Sequence, residues 1–263
     1  MPYRIDIPEA GVDTFDRLVE LGALDVESDN GAIAALMPDA VAPEQVVEAL
    51  GLGAATVSPA AGRDADSVWV LSLRSIRIGG IELAPADAGE KTGRLRLIDS
   101  AAFGTGLHPT TALCLEALAA AVQPVLPEAV LDVGTGSGVL ALAALMLGVP
   151  RALAIDIDDQ ALRVAAENAR LNGLDERFQA VRGGPETVAG TWPLVLANVL
   201  AAPLVEMAPA LVRCVGHHGQ LVLSGVPSSL EADVAQAYRH LGMRFLRRNT
   251  RAGWVVLVLQ APW

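Results

Sequence analysis

LDVGTGSGVLALAALMLG, residues 131–148, contains an apolar strand, a turn with glycine at every second position, and an alanine- and leucine-rich helix. Glycine in such a turn lets the backbone approach a ligand closely, and the helix N-terminus behind it attracts hydrogen-bond acceptors and negative charge. From residue 110 onward, strand and helix patterns alternate on both sides of this stretch. The alternation predicts a doubly wound, largely parallel α/β sheet with the glycine turn at its ligand-binding edge.

The first 62 residues predict a separate α+β unit. Strand, helix, hairpin, helix and strand patterns follow one another, with the turn DNG at 29–31 and Pro43 at the start of the second helix. The order βαββαβ is that of a ferredoxin-like domain. We therefore predict a ferredoxin-like domain at 1–62, a linker and β-rich lead-in at 63–96, and an α/β domain at 97–263.

Acidic charge is concentrated in this N-terminal unit. The chain carries −11, and residues 1–62 hold eleven Asp and Glu against Arg4 and Arg17, which gives −9 there. Such a surface repels nucleic acid and steers a basic partner, although a merely solubilising surface is the alternative. No apolar run reaches the ~18–20 residues of a membrane span, and neither a secretory signal nor a cysteine motif is recognisable. We expect a cytoplasmic protein without direct nucleic-acid or membrane binding.

The residues around the glycine turn discriminate among ligands. A GxxxxGK[ST] phosphate loop is missing, and the dinucleotide fingerprint requires glycine where the chain has Val139. A tight GxGxG turn preceded by Asp132 suits a ligand without a pyrophosphate, and S-adenosylmethionine is the leading candidate. Asp156, which ends the next predicted strand 22 residues after Gly134, can accept hydrogen bonds from both ribose hydroxyls. A turn that serves only strand–helix packing is the structural alternative.

A third polar residue, Asn198, ends the apolar strand at 193–198, again at the carboxyl edge of the predicted sheet. Adenine-modifying amino-methyltransferases have an Asn/Asp-Pro-Pro-aromatic motif at this point, and its side-chain oxygen accepts a hydrogen bond from the target nitrogen. The sequence ANVLA has neither the prolines nor the aromatic residue, which argues against recognition by base stacking. Asn198 therefore either faces a methyl donor or caps the helix predicted over 203–214.

A more specific resemblance comes from AAFGTGLHPTTALCLEAL, residues 101–118. Together with LDVGTGSGVLA, IDID and ANVLA, this stretch resembles the bacterial ribosomal protein L11 methyltransferases, closely over 97–225 and more loosely beyond. The N-terminal unit is similar in topology to the substrate-recognition domain of that family. The resemblance implies a doubly wound S-adenosylmethionine-dependent methyltransferase fold, and methylation of lysine side chains and an α-amino group on a basic ribosomal protein.

The resemblance also implies site residues. The residues that contact the methyl donor would be Thr111, Gly134, Asp156 and Asn198, with Gly136 and Phe103 as neighbours. Asn198 would be the catalytic residue. The FGTG loop would fold over the cofactor, and His108 would either orient that loop or cap the helix that begins near residue 110.

Other chemistries receive less support from the sequence. CVGHHG at 214–219 offers one cysteine and two histidines, but it lies in a predicted turn without a second ligand cluster, so we expect no metal site. Ser224 lacks the GxSxG motif of hydrolases. Two alternatives remain: a methyltransferase for another protein or a small molecule, and a non-catalytic interaction protein. The intact glycine turn and Asp156 argue against the second.

Overall fold

The computed structural model describes residues 3–11, 13–23, 25–29, 31–38, 40–53, 55–59, 75–98, 108–123, 125–251 and 253–263. The chain divides into two compact units, Met1–Ser72 with Leu107–Pro109 and Leu73–Gly106 with Thr110–Trp263. Residues 63–74 of the linker and lead-in predicted over 63–96 lie outside the described residues. Within them, no helix combines the length and the apolar character that crossing a membrane requires.

The first unit contains one antiparallel sheet and two helices. Its elements are β1 (Tyr3–Ile7), α1 (Thr14–Glu20), β2 (Asp25–Asp29), β3 (Ala32–Met37), α2 (Pro43–Leu50) and β4 (Thr56–Pro59). The strand order is β2-β3-β1-β4, with every neighbouring pair antiparallel. Alternate residues of β1 are buried, and Phe15 and Leu18 of α1 pack into the same core. This is the ferredoxin-like arrangement that the sequence predicts.

A small sheet follows in the second unit. It consists of β5 (Ile76–Ile78), β6 (Ile81–Pro85) and β7 (Arg94–Leu97), in the order β5-β6-β7. β5 and β6 form an antiparallel hairpin, whereas β6 and β7 are parallel. Leu83, Leu95 and Leu97 are buried, so one face of this sheet belongs to the core of the unit.

The large sheet has seven strands. In chain order the elements are α3 (Pro109–Val122), β8 (Val130–Val133), α4 (Val139–Met146), β9 (Ala152–Asp156), α5 (Asp159–Leu171), β10 (Phe178–Arg182), β11 (Trp192–Asn198), α6 (Ala201–Glu206), α7 (Ala208–Cys214), β12 (Val215–Pro227), α8 (Glu231–His240), β13 (Arg244–Arg251) and β14 (Trp254–Gln260). The order β10-β9-β8-β11-β12-β14-β13 reverses direction at β8. The first five strands are parallel, and β14 is antiparallel to both of its neighbours. The carboxyl ends of β8 and β11 therefore form the topological switch point at which such sheets bind ligands.

Three local predictions about the second unit were wrong or incomplete. The single helix expected over 203–214 is two helices that meet at Met207, and Pro209 in the first turn of α7 supplies no backbone N–H. The turn expected at 214–219 lies within β12, where the register with β11 shifts. β13 was not predicted, because its sequence RFLRRNTR is almost entirely polar, as suits an exposed edge strand.

Candidate functional site

The glycine turn lies between β8 and α4 at the switch point. Gly134, Gly136 and Gly138 all adopt positive φ, at 69°, 55° and 83°. A side chain on Gly134 would overlap that of Val199, and a Cβ on Gly138 would lie 3.0 Å from the Cβ of Ala165. Both glycines are therefore required by conformation and by close approach together. The turn brings backbone amides to the N-terminus of α4.

Asp156 ends β9 beside this turn. Its Oδ2 accepts a hydrogen bond from the amide of Gly136 at 3.0 Å, and its Oδ1 accepts one from the amide of Asp158 at 3.0 Å. The carboxylate is half-buried, and each oxygen has a further lone pair available. Asp158 caps α5 by accepting a hydrogen bond from the amide of Gln160.

Asp132 is a buried acid beneath the turn. Its Oδ2 accepts hydrogen bonds from the Thr135 hydroxyl at 2.7 Å and the Ala141 amide at 3.2 Å. Its Oδ1 is buried and has no hydrogen-bond partner among the described residues. Burial raises the pKa of Asp132 to about 6, although the two hydrogen bonds act in the opposite direction. The turn therefore lies over an acid whose charged form is costly.

Asn198 ends β11 on the other side of the switch point. The residue is 9% exposed, and its Nδ2 donates to the hydroxyl of buried Thr111 at 3.4 Å. Its Oδ1 is buried without a hydrogen-bond partner in the described part of the chain. The capping interpretation is wrong: Leu200 is the N-cap of α6, and no side chain caps that helix. Asn198 thus presents a buried acceptor that no described residue uses.

Sequence reasoning missed one residue that shapes this edge. Gly225 in β12 has φ 82°, and a Cβ there would overlap the carbonyl oxygen of Val199. β12 therefore packs directly against the backbone that follows Asn198. The available signal was a glycine inside an apolar strand, which marks a close backbone approach.

The other predicted residues have different outcomes. Phe103 and the rest of the FGTG loop, which His108 was expected to orient, lie outside the described residues. The ring of His108 packs edge-to-face against Phe15, with centroids 5.7 Å apart, and burial lowers the pKa of His108 to about 4. At 214–219, Cys214 is buried while His217 and His218 are exposed. The described residues contain no group of three or more potential metal ligands.

Comparison with known proteins identifies the family. The family model "Ribosomal protein L11 methyltransferase (PrmA)" matches residues 47–262. The ribosomal protein L11 methyltransferase of Myxococcus xanthus is 42% identical over 203 residues, covering 75% of this chain and 69% of that protein. Its counterpart from Pelobacter propionicus is 37% identical over 210 residues, covering 77% and 68%. The chain thus spans about two thirds of the length of these two relatives.

A solved structure agrees with the sequence relatives. The crystal structure of ribosomal protein L11 methylase from Lactobacillus delbrueckii subsp. bulgaricus matches 71% of this chain and 95% of its own, with a TM-score of 0.62 and 29% identity. The doubly wound sheet with the glycine turn at its switch point is the fold expected of such enzymes. The chain therefore belongs to the ribosomal protein L11 methyltransferase family and is an S-adenosylmethionine-dependent methyltransferase.

Proposed function

We propose that this enzyme methylates amino groups of ribosomal protein L11, at lysine side chains and the α-amino group, in the cytoplasm, with Asn198 as the catalytic residue. The observation that carries the proposal is the buried Oδ1 of Asn198 at the switch point, which has no hydrogen-bond partner among the residues that the structure describes. A buried acceptor without a partner costs free energy, on the order of 1–3 kcal/mol, unless a ligand supplies the donor. A neutral amine supplies such a donor.

The residues around the turn fit S-adenosylmethionine. Asp156 has lone pairs left for the two ribose hydroxyls, and the positive-φ turn allows close approach to its backbone amides. Asp132 lies below the turn, and its Oδ1 also has no partner in the described part of the chain. The proposed cofactor contacts are Phe103, Thr111, Gly134, Gly136, Asp156 and Asn198. The sequence also fits a cofactor without a pyrophosphate, because position 139 is valine and not the glycine of the dinucleotide fingerprint.

Methyl transfer requires the enzyme to align the amine with the methyl group more than to activate either of them. Bound S-adenosylmethionine supplies a methyl group on a positively charged sulfur. A lysine amine has a solution pKa near ~10.4, so it must lose a proton before it can attack, and a buried site favours its neutral form. Asn198 Oδ1 accepts one N–H of that neutral amine, which aims the nitrogen lone pair away from the amide. An amide does not take up the ammonium proton, so that proton departs to water.

The first unit supplies the recognition surface for a basic substrate. Asp13, Asp16 and Glu20 lie along α1, and the pKa of Asp16 is raised by partial burial and then by its two acidic neighbours. The carboxylates of Asp13 and Glu20 repel that of Asp16, so negative charge is concentrated along α1. Such a surface attracts basic proteins at long range, and salt weakens the attraction.

Transfer of a labelled methyl group to purified ribosomal protein L11 tests the proposal. We expect Asn198→Ala to lower the single-turnover rate by about 100-fold, because the amine loses its alignment. Ser224→Ala is the matched control: Ser224 is buried level with Asn198 on β12, and its hydroxyl bonds to the backbone carbonyls of Thr110 and Val255. It should lower stability and leave the rate within a few-fold.

The same assay separates the competing substrate. If the full chain labels a different protein or a small molecule from a cell extract but leaves purified L11 unlabelled, the L11 proposal fails. Equal rates for Asn198→Ala and the unmodified chain would remove Asn198 from the reaction. Both outcomes leave family membership intact, because that rests on the comparisons.

A further inference from the structure

Two asparagines on α5 join separate parts of the second unit. Asn168 is fully buried; its Nδ2 donates to the carbonyl of Ser137 at 2.8 Å, and its Oδ1 accepts from the amide of Ile98 at 2.8 Å. One turn later, Asn172 accepts from the amide of Arg96 at 2.9 Å and donates to the Arg96 carbonyl at 2.7 Å. The two carboxamides therefore satisfy backbone groups that neither sheet pairs.

The spacing of this pair matches the edge of β7. Residues four apart on a helix rise about 6.0 Å, while residues two apart on a strand rise about 6.6 Å. Asn168 and Asn172 can therefore bond to Ile98 and Arg96 as a neighbouring strand would. β6 occupies the other edge of β7, so the asparagine pair covers the remaining one. This explains how α5 docks onto the small sheet.

Only Asn168 also reaches the glycine turn. Ser137 lies between Gly136, whose amide bonds to Asp156, and Gly138, which is the N-cap of α4. The Ser137 carbonyl and the Gly138 amide share one rigid peptide plane, so a bond to that carbonyl fixes how the turn enters α4. Among the described residues Asn172 makes no hydrogen bond to the turn, and its partners lie on β7 and within α5.

We infer that Asn168 is a positioning residue for the cofactor turn. Its bond to the Ser137 carbonyl fixes the backbone from Gly136 to Gly138. This segment, together with Asp156 and the N-terminus of α4, forms the proposed binding site for S-adenosylmethionine. Asn172 performs only the docking of β7. The inference rests on the proposed function, which places the cofactor at this turn.

Three full-chain variants separate these roles. Asn168→Asp keeps an acceptor for the Ile98 amide, but an ionised carboxylate offers no hydrogen to the Ser137 carbonyl. Asn168→Ala removes both bonds, and Asn172→Ala removes only the docking of β7. We measure the calorimetric Kd for S-adenosylhomocysteine, the KM for S-adenosylmethionine, the KM for the protein substrate and the Tm.

Both Asn168 variants should raise the Kd and the cofactor KM about tenfold or more, as for loss of one buried hydrogen bond, and leave the protein KM unchanged. Asn172→Ala should lower the Tm while its Kd stays within about twofold, because its bonds do not reach the turn. If Asn168→Asp does not fold, Asn168→Ala decides. The inference is overturned if a folded Asn168 variant binds S-adenosylhomocysteine as tightly as the unmodified chain. It is also overturned if Asn172→Ala weakens that binding as much as the Asn168 variants do.

One further variant distinguishes this failure from failure of the proposed site. Asp156→Ala removes a carboxylate that the proposal places on the ribose. If Asp156→Ala binds S-adenosylhomocysteine normally, the cofactor lies elsewhere and the proposed site is wrong. If Asp156→Ala loses affinity while both Asn168 variants keep it, only the positioning role is refuted.

Discussion

The acidic first unit and the glycine-turn edge of the second unit are specified in different ways. In the first unit, a regular βαββαβ topology carries a net charge of −9 over residues 1–62. In the second, Val199 lies where neither Gly134 nor Gly225 could bear a side chain, and a buried acid lies beneath the turn. Long-range charge tolerates the loss of any one residue, whereas close packing does not. We therefore expect single substitutions to act strongly at the switch point and only collectively in the acidic unit.

The largest effect should come from Gly225→Ala. The added Cβ would overlap the Val199 backbone, so the turn after Asn198 must move. We expect a loss of about 3 kcal/mol in unfolding free energy and a fall of about 100-fold in rate. Gly190→Ala is the control, because its φ is 75° with nothing within 4 Å of the new Cβ. Chemical unfolding and single-turnover kinetics measure both, and equal effects in the two variants would contradict the close-packing explanation.

The buried acid should give a pH-dependent effect on stability. The pKa of Asp132 is about 6 when folded against an ordinary value of 3.8, so between these values the folded chain holds a proton that the unfolded chain releases. Its contribution to unfolding free energy therefore falls by about 2 kcal/mol as pH rises from 4 to 6, and levels off about one pH unit higher. Asp132→Asn removes that slope.

Chemical unfolding at pH 4, 5, 6 and 7 checks this expectation. The stability of Asp132→Asn relative to the unmodified chain should rise with pH across that window. Curves that run parallel for the two proteins would show that Asp132 titrates as an ordinary acid. Asp175→Asn, an exposed acid in the same unit, serves as the control.

Asp156→Ala sharpens the comparison within the cofactor site. We expect S-adenosylhomocysteine to bind with about 2 kcal/mol less free energy, roughly 30-fold weaker, because hydrogen bonds to a charged group are lost. Asp159→Ala is the matched control: this nearby carboxylate pairs with Arg182 at 3.0 Å and is exposed. Titration calorimetry should show its affinity unchanged. A similar loss in both variants would indicate a general charge effect instead of a ribose contact.

The smallest effect should come from the acidic unit. Neutralising Asp13, Asp16 and Glu20 together should raise the KM for the protein substrate by about 3- to 10-fold at low salt, and leave cofactor affinity unchanged. Neutralising Glu128, Asp175 and Glu176 changes the net charge equally but in the second unit. The difference between the two triple variants should vanish near 1 M salt, where the Debye length is about 3 Å. A difference that persists at high salt would point to direct contacts in place of steering.

The prediction from sequence succeeded where a signal is local. Hydrophobic periodicity placed the strands and helices around the glycine turn, and the hairpin turn with Pro43 placed those of the first unit. The prediction failed where contacts with neighbouring elements determine the secondary structure. β13 has little apolar pattern of its own and is paired along its length with β14, and the break at Met207 divides a helix whose apolar pattern is continuous.

The candidate site shows the same division. The sequence by itself determined the doubly wound fold, the glycine turn and the positions of Asp156 and Asn198 at strand ends, because each depends on residues close together in the chain. Only the tertiary structure decided that Asn198 Oδ1 has no partner among the described residues, that Gly225 admits the Val199 backbone, and that Asn168 ties the turn to Ile98 at the end of β7. Those contacts join residues far apart in sequence, and packing distances in the folded chain alone determine them.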